Sequence, residues 1–317
     1  YNPGKFTSVF FGGGTPSLAE PKYIEQILRE VCVSNACEIT LELNPGTNES
    51  TSINELSDAG INRLSIGAQS FNSSHLKKLG RIHDTEEIYV AFAEARKAGI
   101  KNINIDLMWG LPGQTTNEAI EDLLQAIALR PEHISWYQLT IEPKTEFHRR
   151  PPTLPIENIL TNIEKSGLSL LADNDFIRYE ISAFGQTNFK CAHNLNYWSF
   201  GDYLGVGAGA HGKITESEKI IRTEKPKQPR LYQKGPTYVA SKEVSKADLQ
   251  LEFLMNTLRL IEGVDWSLLK ERTGLLYDEI KESWADLSEL GLVSPDKCAT
   301  TDFGLKNLDF ILQKFCK

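Results

Sequence analysis

Short runs of β-forming residues recur about 25 to 40 residues apart through the first half of this chain, with helical patterns between them. Parallel strands need a crossover of that length, so the spacing predicts βα units rather than hairpins. The strand candidates are Thr7 to Phe11, Glu38 to Leu43, Arg63 to Ala68, Asn102 to Met108 and His133 to Leu139. Between them the clearest helix starts at Asp84, whose side chain can cap while Glu87 completes a capping box, and runs to Lys97 before Gly99. Another covers Thr116 to Leu129. A helix over Leu154 to Asp173 and a strand over Phe176 to Ala183 carry the rhythm to a sixth unit, after which it stops.

The first strand candidate runs straight into Gly12-Gly13-Gly14-Thr15-Pro16-Ser17, and a helical pattern follows (Ile24, Ile27, Leu28, Val31). Glycines at a strand's carboxyl end let a ligand approach bare backbone amides, although a glycine cluster alone reads equally as a simple turn. The order is not the Gly-x-Gly-x-x-Gly dinucleotide signature, and no lysine follows as a P-loop requires. The other strand candidates end alike in polar residues: Glu42 and Asn44, Gln69 and Ser70, Asp106, then Gln138, Thr140 and Glu142. A carboxylate or amide inside an apolar strand is costly unless hydrogen-bonded. One such residue reads as a satisfied structural group; a set on one sheet edge predicts a polar ligand at its mouth.

The second half is different. His193-Asn194-Leu195-Asn196-Tyr197-Trp198 gathers a histidine, two amides and two aromatics, and Gly201 to Gly212 follows as a glycine-rich run ending around His211. Glu218 to Thr223 reads as a short strand and the charged, Pro-containing stretch after it as a linker or surface loop. Lys246 to Ile261 is a strong amphipathic helix, followed by helical patterns over Val264 to Arg272 and Tyr277 to Leu290, a wing around Cys298 to Thr301, and a last helix over Leu305 to Phe315. The expected division is a barrel with its extension over residues 1–223, a linker over 224–245, and a small, mainly helical, winged-helix-like domain over 246–317.

A formal charge of −8 argues against a nucleic-acid face, because phosphate binding needs a basic stripe. Lys225-Pro226-Lys227-Gln228-Pro229-Arg230 is too short and Pro-broken to supply one, so the helical domain reads as a packing cap. No apolar run approaches the ~20 residues of a membrane span and no signal-peptide layout is seen, so no transmembrane segment and a cytoplasmic location are expected. Cys32, Cys37, Cys191, Cys298 and Cys316 are an odd, scattered set that fits reduced, packing thiols.

Phe-Phe-Gly-Gly-Gly-Thr-Pro-Ser, Leu-Glu-Leu-Asn-Pro, Asn-Arg-Leu-Ser-Ile-Gly-Ala-Gln-Ser-Phe and Asn-Ile-Asp-Leu-Met-Trp-Gly-Leu-Pro-Gly-Gln-Thr occur in this order. Jointly they resemble the radical S-adenosylmethionine superfamily, in the oxygen-independent coproporphyrinogen III oxidase-like branch that includes the HemW haem chaperones. His-Asn-Leu-Asn-Tyr-Trp resembles the HemW side of that branch. The resemblance spans nearly the whole chain and implies an α/β fold: an incomplete parallel (βα)6 barrel lacking its first βα unit, with the small helical domain appended. It implies S-adenosylmethionine held by the amides of Gly12, Gly13, Gly14 and Thr15, by Glu42, Gln69 and Asp106 at strand ends, and by Arg81 on the methionine carboxylate. On residue type alone Arg81 reads as a surface salt bridge.

The branch holds a 4Fe-4S cluster through a Cys-x3-Cys-x2-Cys loop, and this sequence contains no such spacing. The cluster strand, loop and first helix are therefore expected to be missing, and this chain as given to be inactive in radical chemistry. By the resemblance, His193 is the candidate haem ligand, since imidazole is a common axial ligand and aromatics stack on porphyrins; a core histidine bonded to backbone is the other reading. His211 is a weaker candidate. The implied function is a haem chaperone that binds haem and passes it to haem-accepting proteins. The alternative is an oxygen-independent coproporphyrinogen III oxidase (coproporphyrinogen dehydrogenase), which leaves open whether the protein is an enzyme.

Overall fold

The residues of the first five strands fall into two unlike rows, and that division organises the fold. In the computed structural model, which describes residues 6–31, 36–46, 52–216, 219–235 and 239–316, the chain divides into two units after His193. The first contains β1 (Ser8–Phe11), α1 (Pro21–Glu30), β2 (Glu38–Leu43), α2 (Ile53–Asp58), β3 (Arg63–Gln69), α3 (Ser73–Lys78) and α4 (Thr85–Lys97). It continues with β4 (Asn102–Trp109), α5 (Thr116–Ala128), β5 (His133–Gln138), α6 (Glu146–Arg149), α7 (Glu157–Asp173), β6 (Ile177–Glu180) and β7 (Ala183–Gly185).

Side chains alternate across a strand, so each strand presents one row to each face. One row (Ile39, Leu41, Leu64, Ile66, Ile103, Ile105, Ile134, Trp136) joins Ile88, Phe92, Leu123, Ala126, Ile163 and Leu171 of the helices in one buried core. The other row is Glu38, Thr40 and Glu42, then Arg63, Ser65 and Gly67, then Asn104, Asp106 and Met108, then His133, Ser135 and Tyr137. Parallel strands covered on both faces usually read as continuous apolar runs. Alternation here therefore marks one face given to polar contacts.

The sheet order is β1-β2-β3-β4-β5-β7-β6, with β1 to β5 parallel. The predicted strand from Phe176 to Ala183 is in fact two. β6 and β7 form a hairpin, and β7 pairs antiparallel with β5, so that β6 runs in the direction of β5 one place further out. The turn between them is tied by its own side chains: Arg178 donates to Ile181 O, and Ser182 N and Oγ donate to Glu180 Oε1. The α7 crossover thus delivers a sixth strand of the expected direction, and the tied turn inserts its antiparallel neighbour.

The capping box read at Asp84 and Glu87 opens α4, and Thr115 with Glu118 makes another at α5. β3 ends in a register shift and a left-handed Gln69 (φ +67°). A non-glycine residue in that region costs about 1 kcal/mol or more, so something must hold it. Asp122 of α5 does: its buried carboxylate accepts Ser70 Oγ at 2.8 Å and Phe71 N at 2.6 Å.

The second unit begins within α8 (Ala192–Trp198). It holds β8 (His211–Glu216), β9 (Lys219–Glu224), α9 (Pro229–Tyr232) and β10 (Ala240–Glu243), an antiparallel sheet of order β10-β9-β8. The glycine run hid β8 from sequence reading. Glu218 of the predicted strand lies outside the described residues, as does Cys32. Residues 224–245, read as a linker, carry α9 and β10. Then come α10 (Lys246–Thr257), α11 (Ser267–Thr273), α12 (Lys281–Glu289), α13 (Asp302–Leu305) and α14 (Leu308–Gln313). Phe200, Phe253, Leu254, Trp284 and Ile311 share a second core, and the wing appears as the Val293–Thr300 bridge.

Burial raises the Asp122 carboxyl to about 6, against the hydrogen bonds from Ser70 and Phe71. A raised carboxyl means the folded chain holds an extra proton between about pH 4 and 6, so this group's contribution to stability falls as pH rises through that window. Raising the pH from 5 to 7.5 should destabilise the native chain by about 1 kcal/mol relative to Asp122→Asn. Urea unfolding of both proteins at both pH values measures it, and an unchanged difference would refute the assignment.

Candidate functional site

The polar row and the loops at its carboxyl end converge. Gly13 and Gly14 have φ +78° and +63°, with nothing within 4 Å of where a Cβ would stand. A Cβ at Gly12 would lie 2.8 Å from the Phe10 ring and 3.1 Å from Glu42 Oε1. The turn is open on one side and pressed against β2 on the other. Gly13 N donates to Glu42 Oε2 at 3.1 Å, and burial, with Asp106's charge adding, raises the Glu42 carboxyl despite that bond.

Next along the sheet, Tyr137 OH donates to Gln69 Oε1 at 2.6 Å. Burial raises the phenol strongly, Asp106 and Glu42 push the same way and Arg81 opposes, so the charges of these three groups are felt at the side chain that Gln69 hydrogen-bonds. Arg81 is half-buried, its Nη1 3.4 Å from Asn44 Oδ1, and it pairs with no carboxylate among the described residues. The surface salt bridge expected from residue type is not seen among the described residues. The triglycine turn, Glu42, Gln69, Arg81 and Asp106 are thus brought to one place; Thr15 follows at the start of a short 3-10 turn. Of the fifth strand, Tyr137 rather than Gln138 faces this site, since Gln138 belongs to the opposite row beside Gly110.

Beneath lies a hydrogen-bond chain that sequence reading missed. Ser65 Oγ donates to Asp106 Oδ2 at 3.0 Å and Asn104 Nδ2 to Oδ1 at 2.8 Å. Asn104 Oδ1 lies 2.6 Å from His133 Nδ1, and His133 Nε2 lies 2.9 Å from Tyr179 OH, which accepts from Cys191 N at 3.2 Å. Burial holds the His133 imidazole well below its usual value, hence neutral. Asn104 Oδ1 can only accept, so Nδ1 carries the proton and Nε2 accepts from Tyr179. Every donor in the chain then points toward Asp106, whose carboxyl burial raises and Asn104 and Ser65 hold down.

His193 lies at the β1 edge of this polar face. Its ring stacks on Phe10 with centroids 4.4 Å apart and planes at 23°. Burial lowers the imidazole to about 4, Glu38 opposing and Arg63 adding, so the ring is neutral near pH 7, the state a metal requires. His211 is exposed at the start of β8, 4.0 Å from Glu224.

The open side of the turn at Gly13 and Gly14, and an Arg81 guanidinium that faces an amide rather than a carboxylate, suit the methionine end of S-adenosylmethionine. Among the described residues the site brings together no ligands for an iron–sulfur cluster. Cys37, Cys191 and Cys298 are buried and apart in sequence, Cys316 is exposed, and the described residues contain no group of three or more His, Cys, Asp or Glu able to hold a metal ion. No helix of the described residues is long and apolar enough to cross a membrane.

Residues 1–127 match the radical SAM superfamily and residues 244–297 the HemN C-terminal domain. Heme chaperone HemW of Haemophilus influenzae is 44% identical over 98% of this chain and 83% of its own length; that of Escherichia coli is 41% identical over 97% and 83%. The Bacillus subtilis protein of the same name is 32% identical over 92% and 80%. Among solved structures, the coproporphyrinogen III oxidase HemN of E. coli, a radical SAM enzyme, matches with TM-score 0.78 over 98% of this chain and 77% of its own, at 22% identity. That last likeness speaks for a shared fold; on the identity and coverage of the others, the chain belongs to the HemW family of the radical SAM superfamily.

Proposed function

We propose that this protein is a haem chaperone, binding haem through His193 and passing it to haem-accepting proteins, with S-adenosylmethionine held over the triglycine turn. The observation that carries it is the state of His193: a neutral imidazole, fixed against Phe10 on the polar face, in a chain whose relatives at 39–44% identity bear the name heme chaperone. The oxidase alternative is not favoured, because its support is a structure 22% identical to this chain.

In this reading the amides of Gly12 to Thr15 receive the methionine end of the cofactor, Arg81 pairs with its carboxylate, and Glu42, Gln69 and Asp106 accept or donate to its ammonium and ribose hydroxyl groups. His193 would hold haem through its iron, which accepts an imidazole nitrogen. A neutral His193 imidazole loses no proton before it ligates, and its stack on Phe10 favours one orientation of the ring.

Adding haem to the protein should give a shifted Soret band that His193→Ala removes; an unchanged band in that variant would exclude His193 as ligand. Arg81→Ala should weaken S-adenosylmethionine binding by about ten- to a hundredfold, the worth of one charged hydrogen bond, in calorimetry or ligand-observed NMR. Gly14→Ala, which forces a Cβ into φ +63°, should weaken it by about tenfold. Wild-type affinity in both would remove the cofactor from this turn.

A further inference from the structure

The polar face contains one carboxylate that the cofactor reading does not use. Glu38 opens β2, and its side chain is largely buried, 12% exposed. Its two oxygens accept from three successive residues: Cys191 Sγ at 3.4 Å, Ala192 N at 3.1 Å and His193 N at 3.2 Å. Arg63, buried on the adjacent strand, stands 3.8 Å from Glu38 Oε2. On β1, Phe10 stacks on the His193 ring, and Phe10 is in register with Thr40, two residues beyond Glu38 on the same face.

The β1–β2 pair therefore grips His193 twice, by the backbone through Glu38 and by the ring through Phe10. Neither grip suffices alone. A ring stack is worth about 0.5–1.5 kcal/mol, too little to hold a histidine whose backbone is free. A backbone bond fixes the Cα yet leaves the ring its rotamers. The residue before Ala192 is tied again, Cys191 N donating to Tyr179 OH.

We infer that Glu38 is the positioning residue for His193: by holding the backbone of Cys191 to His193 it sets where the imidazole stands, and so the affinity and geometry of iron ligation. The consequence for haem rests on the function proposed above; the placement of the ring does not. A carboxylate suits the task because two backbone amides and a thiol, all donors, converge where only an acceptor with several lone pairs can satisfy them.

The test uses Glu38→Ala, which removes every acceptor, and Glu38→Gln, which keeps one acceptor oxygen at the same reach; thermal melting confirms that both are folded. The first readout needs no haem. The His193 ring resonances, shifted by the Phe10 ring current, should move toward solvent values in Glu38→Ala and stay near wild type in Glu38→Gln. Unmoved resonances in a folded Glu38→Ala protein would overturn the inference. The second readout is haem titration, where Glu38→Ala should lower affinity at least tenfold and change the spin-state pattern of the spectrum. Glu38→Gln should recover most of the affinity, and Glu38→Ala should add nothing in a His193→Ala background. An equal loss from Glu38→Ala with and without His193 would show a general structural effect and overturn the role in ligation. If His193→Ala alone leaves haem binding intact, the ligand assignment falls while the ring resonances still decide what Glu38 does.

Discussion

A buried polar group must find its partner inside the protein, and the interior face of this sheet is almost nothing but polar groups. Leaving any one of them unpaired costs about 1–3 kcal/mol, and most of the row from Glu38 to Tyr137 is paired as a network, Thr40 Oγ1 and Arg63 Nε being buried without a hydrogen bond. The solution is directional. From the Cys191 amide through Tyr179, His133 and Asn104, each group accepts from one neighbour and donates to the next, and the series ends on the Asp106 carboxylate. Reversing any link would set two acceptors or two donors face to face. The neutrality of His133 follows from its burial, with the Arg63 charge adding, and it leaves Nε2 free to accept from the Tyr179 hydroxyl.

That chain has an architectural consequence. Asp106 stands among the groups that Tyr137 gathers at the sheet's mouth, whereas Cys191 is two residues from His193. The proposed cofactor pocket and the proposed haem ligand therefore belong to one hydrogen-bonded body within the first unit, with Glu38 and Arg63 along its lower edge. A change of hydrogen bonding at Asp106 would be felt along a series of groups that has one consistent proton arrangement. Hydrogen bonds in series polarise one another, which makes such a series stiffer than its separate links.

The parts of this arrangement that sequence reading reached are those written in local pattern. Strand and helix periods, the capping box at Asp84 and Glu87, and polar residues at strand ends are decided within a few residues of each other, so their positions were legible. The triglycine turn, Glu42, Gln69, Arg81 and Asp106 stand out in local motifs, and the fold sets them along one edge of the sheet. What escaped was decided by pairing across the sheet. His133 and Asn104 sit 29 residues apart and each alone looks like an ordinary polar residue; only register makes them partners. Glu38 and His193 are 155 residues apart. Gln138 stands out by its polarity, but the period of two in His133, Ser135 and Tyr137 is the signal that places Tyr137 on this face. The hairpin of β6 and β7 was hidden because its turn is closed by side chains of Arg178 and Glu180 rather than by glycine or proline.

A carrier has to bind its cargo and also give it up, and the surroundings of His193 bear on both demands in the reading proposed here. Burial keeps the imidazole unprotonated at neutral pH, so ligation need not displace a proton. The ring is stacked on a hydrocarbon face, Phe10, with centroids 4.4 Å apart. What fixes the ligand is held at its backbone by Glu38, away from the lone pair. Burial dominates the basicity of the ring while Glu38, which partly opposes it, holds the backbone, so in this reading a single stiffly placed imidazole captures haem and an acceptor offering more ligands can take it.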